Sequence, residues 1–208
     1  MSATITPLKF EPPEVPEDQA RAGYYALLAR LFYAGPDAGL LAAIANADEI
    51  VSGGEQSALA GAWNALASAA GAADAEAARL EYDDLFIGTG KAPVTLYASF
   101  YLVATGREKI LVRLRDELAS LGLKREERAL EPEDHVAGLF DTMRYLISMG
   151  SADAAMQHQQ GFFDRYIAGS YRGFCGGISA SEKSNFYKHV AHFAEAFLVV
   201  ESEALKVF

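Results

Sequence analysis

Apolar residues recur along most of this chain at intervals of three and four, the spacing that lines one face of a helix. From Glu17, "EDQARAGYYALLARLFYAGP" sets acidic residues in a first turn, then Tyr24, Leu27, Leu28 and Leu31 on one side, and stops at Gly35 and Pro36. Alanine-rich segments at 37–46 and 55–70, separated by "SGGE", predict two more helices with Leu40, Leu41, Ile44, Leu59, Trp63 and Leu66 turned inward. Another helix starts near Asp74 and runs into "LEYDDLFIGTGKAPVTLYASFYL", residues 80–102. There a helical face gives way to a loop shaped by Gly88, Gly90 and Pro93, and aromatics resume beyond it. "REKILVRLRDELASLG" places Ile110, Leu111, Leu114 and Leu118 on one stripe and ends at Gly122.

The next helix is marked by Pro132 at a first helical position, by Val136, Leu139, Phe140, Met143, Leu146 and Ile147 along its buried stripe, and by Gly150 at its end. A segment over 151–168 and a glycine-rich stretch, "GSYRGFCGG", lead to a final helix carrying Phe186, Val190, Phe193, Phe197, Val200 and Leu205. Strand-like alternation and internal repeats are not evident. The pattern predicts an all-α fold, a single-domain helical bundle of about seven to nine helices over residues 17–208. Prolines at 7, 12, 13 and 16 predict an extended, mobile arm over 1–16.

Composition narrows the classes. Half of the residues are apolar, which suits a packed core and not a disordered chain. The net charge of −10 argues against nucleic acid as a partner, because phosphate binding needs clustered Lys and Arg. Residues 1–90 carry 4 basic and 13 acidic side chains, so the acidity gathers in the first half. Such a surface attracts a basic partner segment, and it also serves ordinary solubility. Neither a spanning apolar run nor a basic-then-apolar leader is evident, so a cytoplasmic location without membrane insertion is expected. The lone Cys175 excludes an internal disulfide and reads as a core residue. A monomer or a homodimer is compatible with this pattern.

Two constellations could carry chemistry. In the first, Tyr82, Leu85 and Phe86 share a face at a helix end, and Pro93, Tyr97 and Ser99 follow across the loop. Apolar rings with polar tips around an irregular loop can build a peptide site, although the same stripe could simply be core. The second is "EPEDH", in which Glu131, Glu133 and Asp134 complement the dipole of a helix start and His135 borders the buried stripe. Weaker candidates are "GTGK" at 88–91, which lacks the glycine spacing and Ser or Thr of a P-loop, and a metal set of His189, His192 and Glu195. Nothing in the pattern requires catalysis or a cofactor.

Together the two constellations resemble the TorD/DmsD/NarJ-like family, cytoplasmic chaperones that mature molybdenum-containing redox enzymes. The likeness lies in "YDDLFIGTGKAPVTLYAS", an aromatic, Leu-Phe, spacer, Pro, Ser pattern, and in "EPEDH" about thirty residues later. It implies a non-enzymatic protein that binds the twin-arginine signal peptide or the apo catalytic subunit of a molybdoenzyme, delays export and assists cofactor insertion. The peptide-binding residues would then fall on Tyr82, Leu85, Phe86, Pro93, Tyr97, Ser99, Asp134 and His135, with Glu131 or the Glu81, Asp83, Asp84 group supplying carboxylates for the arginines. Some members carry tryptophan where this chain has Tyr82 and Val94, and a His-Leu-x-Pro-Trp run where it has "DRYIAGSYRGF". The alternative is a helical metal-binding protein or metalloenzyme using His189, His192 and Glu195.

Overall fold

The centre of the molecule is a pair of packed helices, α1 (Pro16–Tyr33) and α7 (Val136–Ser148). The computed structural model describes residues 13, 15–50, 57–88, 92–124, 131–150 and 152–207, so the expected arm over 1–16 lies almost wholly outside them. Pro16 itself opens α1 at its first position, where a missing N–H costs nothing. Against this pair lie α10 (Phe186–Ala204), α9 (Tyr171–Ala180) and α3 (Ala58–Ala72), with α2 (Ala38–Ala45) on α3. The remaining helices are α4 (Ala75–Tyr82), α5 (Ser99–Leu102), α6 (Arg107–Ser120) and α8 (Asp153–Phe162). The fold is all-α, and the described residues contain no named strand.

Local sequence explains where several helices begin. Asp37, Ser57 and Asp74 accept from the backbone N–H groups of Leu40, Ala60 and Ala77 at 2.7, 3.1 and 2.9 Å, which satisfies donors that a helix start leaves open. For α10 the acceptor comes from far away. The Glu81 carboxylate takes the N–H groups of Asn185, Phe186 and Tyr187 at 2.7, 3.0 and 2.8 Å, tying the end of α4 to the start of α10.

Packing moves some expected positions. On α1 the fully buried residues are Tyr25, Leu28, Leu31 and Phe32, whereas Tyr24 and Leu27 are half-buried. Tyr24 sits on Trp63, Phe193 and Phe197 with ring centroids 5.6, 5.2 and 5.4 Å away, so α3 and α10 widen the buried face beyond one stripe. Val200 faces solvent, on the side of α10 away from the core. The glycine-rich stretch is helical as α9. Gly169, Gly173 and Gly177, four residues apart, receive Leu102, Tyr101 and Val94, and a Cβ at Gly173 would stand 2.3 Å from the Tyr101 ring. These glycines let the chain over 94–102 lie close against α9 and the turn before it.

The start of α7 also differs. Pro132 was the expected first helical residue, but the helix begins at Val136 and Pro132 belongs to a turn closed by the His135 N–H on its carbonyl at 3.1 Å. Backbone pairing with residues 96–98 on either side of His135 holds that residue extended, at φ −63° and ψ 131°. Helical φ/ψ therefore cannot start earlier, and Glu131, Glu133 and Asp134 precede the helix instead of filling its first turn.

Candidate functional site

The junction after α4 is built by a change of helical winding. Residues Asp83–Ile87 form a single wide π-turn that Gly88 ends at φ 59°, and the Gly88 N–H bonds the Asp83 carbonyl at 2.8 Å. A φ in the left-handed region suits glycine. The chain returns with the Val94 N–H on the Leu85 carbonyl at 3.1 Å. It then pairs antiparallel with the segment before α7: Val136 N–H to Leu96 carbonyl at 2.9 Å, Ala98 N–H to Asp134 carbonyl at 2.9 Å, with Tyr97 opposite His135. The two constellations are thus one structure, joined through their backbones.

Side chains reinforce the joint. The Tyr97 hydroxyl donates to Glu131 Oε2 at 2.7 Å, and burial together with that bond pushes its pKa up to about 12. Asp134, only 2% exposed, accepts the Ser99 N–H on Oδ2 at 3.3 Å, where α5 begins. His135, 6% exposed, caps α7 by accepting the Ala137 N–H on Nδ1 at 3.3 Å, with the Tyr97 ring edge-on at 5.7 Å. The Tyr82 hydroxyl donates to the Phe32 and Tyr33 carbonyls at 3.2 and 2.9 Å, and burial raises its pKa.

Burial lowers the His135 pKa, outweighing the attraction of Glu131 and Asp134 for the charged form. An imidazole harder to protonate when folded contributes stability that is complete above its unfolded value of 6.5 and is lost as pH falls through the lower folded value. His135→Asn keeps a capping acceptor and removes the titration. Thermal melts from about pH 8 down to about pH 5 should show wild type losing Tm relative to His135→Asn below about pH 6.5. Parallel profiles would assign the pH dependence elsewhere.

Around this joint lies a pocket of about 380 Å3, to which Tyr82, Phe86, Tyr97, Glu131 and His135 contribute. Among the other expected site residues, Leu85, Ser99 and Asp134 are buried beneath it, and Pro93 is exposed outside its lining. Asp83 lines it, ion-paired with Arg79 at 2.8 Å, whereas Glu81 is committed to α10 and Asp84 faces Lys183 at 3.7 Å. Sequence reasoning missed Tyr33 and Ile87, which are 58% and 62% exposed and supply apolar rim. Their signal was position alone, since each ends a helical segment just before a glycine or a Gly-Pro stop.

The weaker candidates fare differently. Thr89, Gly90 and Lys91 lie outside the described residues. His192 is exposed and His189 and Glu195 are half-buried on α10, and no group of three or more His, Cys, Asp or Glu among the described residues is placed to hold a metal ion. The metal-binding alternative therefore finds no support. Cys175 is fully buried, and burial pushes its thiol pKa up. No helix among the described residues is long and apolar enough to cross a membrane.

An interrupted helix and a distant loop thus frame an open pocket, with the carboxylates of Asp83 and Glu131 and the rings of Tyr33, Phe86 and Tyr97 at its edge. Comparison with family models gives a match over residues 53–175, more than half of the chain and inclusive of both constellations, to the family described as nitrate reductase delta subunit. The chain belongs to that family, a NarJ/TorD-like family of molybdoenzyme maturation chaperones. No curated protein matches it.

Proposed function

We propose that the protein is a cytoplasmic, non-enzymatic chaperone of one molybdenum-containing oxidoreductase, and that it binds the twin-arginine signal peptide or the apo catalytic subunit at this pocket. Binding is reversible and precedes cofactor insertion and export of the client. The observation that carries the reading is the Tyr97–Glu131 hydrogen bond, which places a carboxylate at the meeting point of the two constellations, beside the exposed rings and side chains of Tyr33, Tyr97 and Ile87. Carboxylate beside apolar rim is what a segment with a basic end and an apolar continuation requires. Asp134, outside the lining, holds Ser99, and His135, in the lining, caps α7.

Calorimetric titration tests this reading. A leader peptide from a molybdoenzyme catalytic subunit encoded nearby should bind with micromolar or tighter affinity. The same leader with both arginines changed to lysine should bind about tenfold or more weakly, because lysine keeps the charge but loses the guanidinium fork. Equal affinities would remove arginine recognition from the account.

A further inference from the structure

The pocket does not end at the constellation residues. Tyr33, Glu131 and His135 also border a larger chamber of about 590 Å3 on the flank of α1 and α7, closed on its far side by the end of α6. Its wall is apolar surface that reaches solvent: Leu118, Leu123 and Tyr145 are half-buried and Gly138 is exposed. The two compartments differ in charge. Asp83 and Glu131 face one cation, Arg79, around the first pocket, whereas three cations, Arg30, Lys124 and Arg144, match three carboxylates, Glu131, Glu133 and Asp141, around the chamber.

We propose that the chamber is a second subsite, which takes the apolar side chains that follow the arginines in the same client segment. The arginines lie at the net-negative pocket by Asp83 and Glu131, and the chain continues past His135 along α1 and α7. This rests on the reading of the first pocket as a peptide site. Continuity through three shared residues puts both compartments within one extended segment, and the charge balance sets its direction. Burying one Leu-sized side chain in the chamber is worth roughly tenfold or more in affinity.

Gly138 supplies the test. A Cβ at this position would meet only the Glu133 carbonyl oxygen, at 3.5 Å, an ordinary contact. Gly138→Leu therefore fills chamber space from the first turn of α7 while leaving the first pocket alone, and leucine is a better helix former than glycine there. Two peptides are titrated into wild type and Gly138→Leu: the full leader, and a version cut just after the arginine pair. The cut peptide should bind wild type about tenfold or more weakly than the full leader. In Gly138→Leu the full leader should fall to the affinity of the cut peptide, which itself should not change, with helical signal and melting checked by circular dichroism. Full affinity of the leader for a folded Gly138→Leu overturns the subsite alone. Should that variant not fold, equal affinity of the two peptides for wild type overturns it in the same way. Failure of wild type to bind either peptide overturns the peptide-site reading and the subsite with it.

Discussion

Arg21→Ala should destabilise the protein by about 3–5 kcal/mol, as a shift of the urea midpoint, because it leaves a carboxylate buried without its charge partner. Glu201 is 1% exposed. Arg21 grips it with two bonds, Nε to Oε1 at 2.7 Å and Nη2 to Oε2 at 3.0 Å, and also donates to Asp18 Oδ1 at 2.8 Å and Gln159 Oε1 at 3.0 Å. One guanidinium thus ties α1 to α8 and α10. Burial opposes its charge, the bonds to Glu201 overcome that opposition, and its pKa ends above the ordinary value. A buried pair need not add net stability over an apolar replacement, but breaking one side of it is costly. The double change Arg21→Leu with Glu201→Leu should therefore lose much less than Arg21→Ala. A double variant as unstable as the single would show that the network contributes through something other than the orphaned charge.

Gly173→Ala should cost about 1–3 kcal/mol, against the usual gain from replacing a helical glycine. The new Cβ would fall 2.3 Å from Tyr101 Cδ1 and 2.8 Å from Cε1, on the body of a ring, not on a flexible chain end. That ring cannot retreat cheaply, since its hydroxyl donates to the Thr95 carbonyl at 2.9 Å. Displacing it moves the chain that carries Tyr97, so leader affinity should fall along with Tm. Gly177→Ala is the comparison. Its Cβ would meet Val94 at 3.5 and 3.6 Å, an ordinary contact, and its melting point should hold or rise. If both changes behave alike, the close approach of Tyr101 is not what the glycine is for.

These two positions show what could be read from the chain and what could not. Helices α1 and α10 were legible because their apolar spacing is local, and the starts of α2, α3 and α4 follow from the adjacent caps Asp37, Ser57 and Asp74. Helix α9 was not, because its glycines weaken intrinsic helix preference and are there for neighbours about seventy to eighty residues away in the chain, Tyr101 and Val94. The pairing of Tyr97 with Glu131 spans 34 residues and leaves no periodic trace. Pattern placed both constellations in the right order, and Tyr82, Phe86, Tyr97, Glu131 and His135 do line one pocket. It could not tell lining from support. Asp134 and Leu85 belong to the same motifs as those residues yet are buried: backbone pairing between 96–98 and 134–136 sets the side of Asp134, and the wide turn over Asp83–Ile87 that of Leu85.

The proposed contact between a leader arginine and Glu131 can be isolated by a double-mutant cycle. Glu131→Gln keeps an oxygen for the Tyr97 hydroxyl while removing the charge. Wild type and Glu131→Gln are each titrated with the arginine leader and its lysine version. The arginine-to-lysine penalty, about tenfold or more in wild type, should shrink to a few-fold at most in Glu131→Gln. An undiminished penalty in the variant would mean that the arginines are read elsewhere and that Glu131 does not meet them.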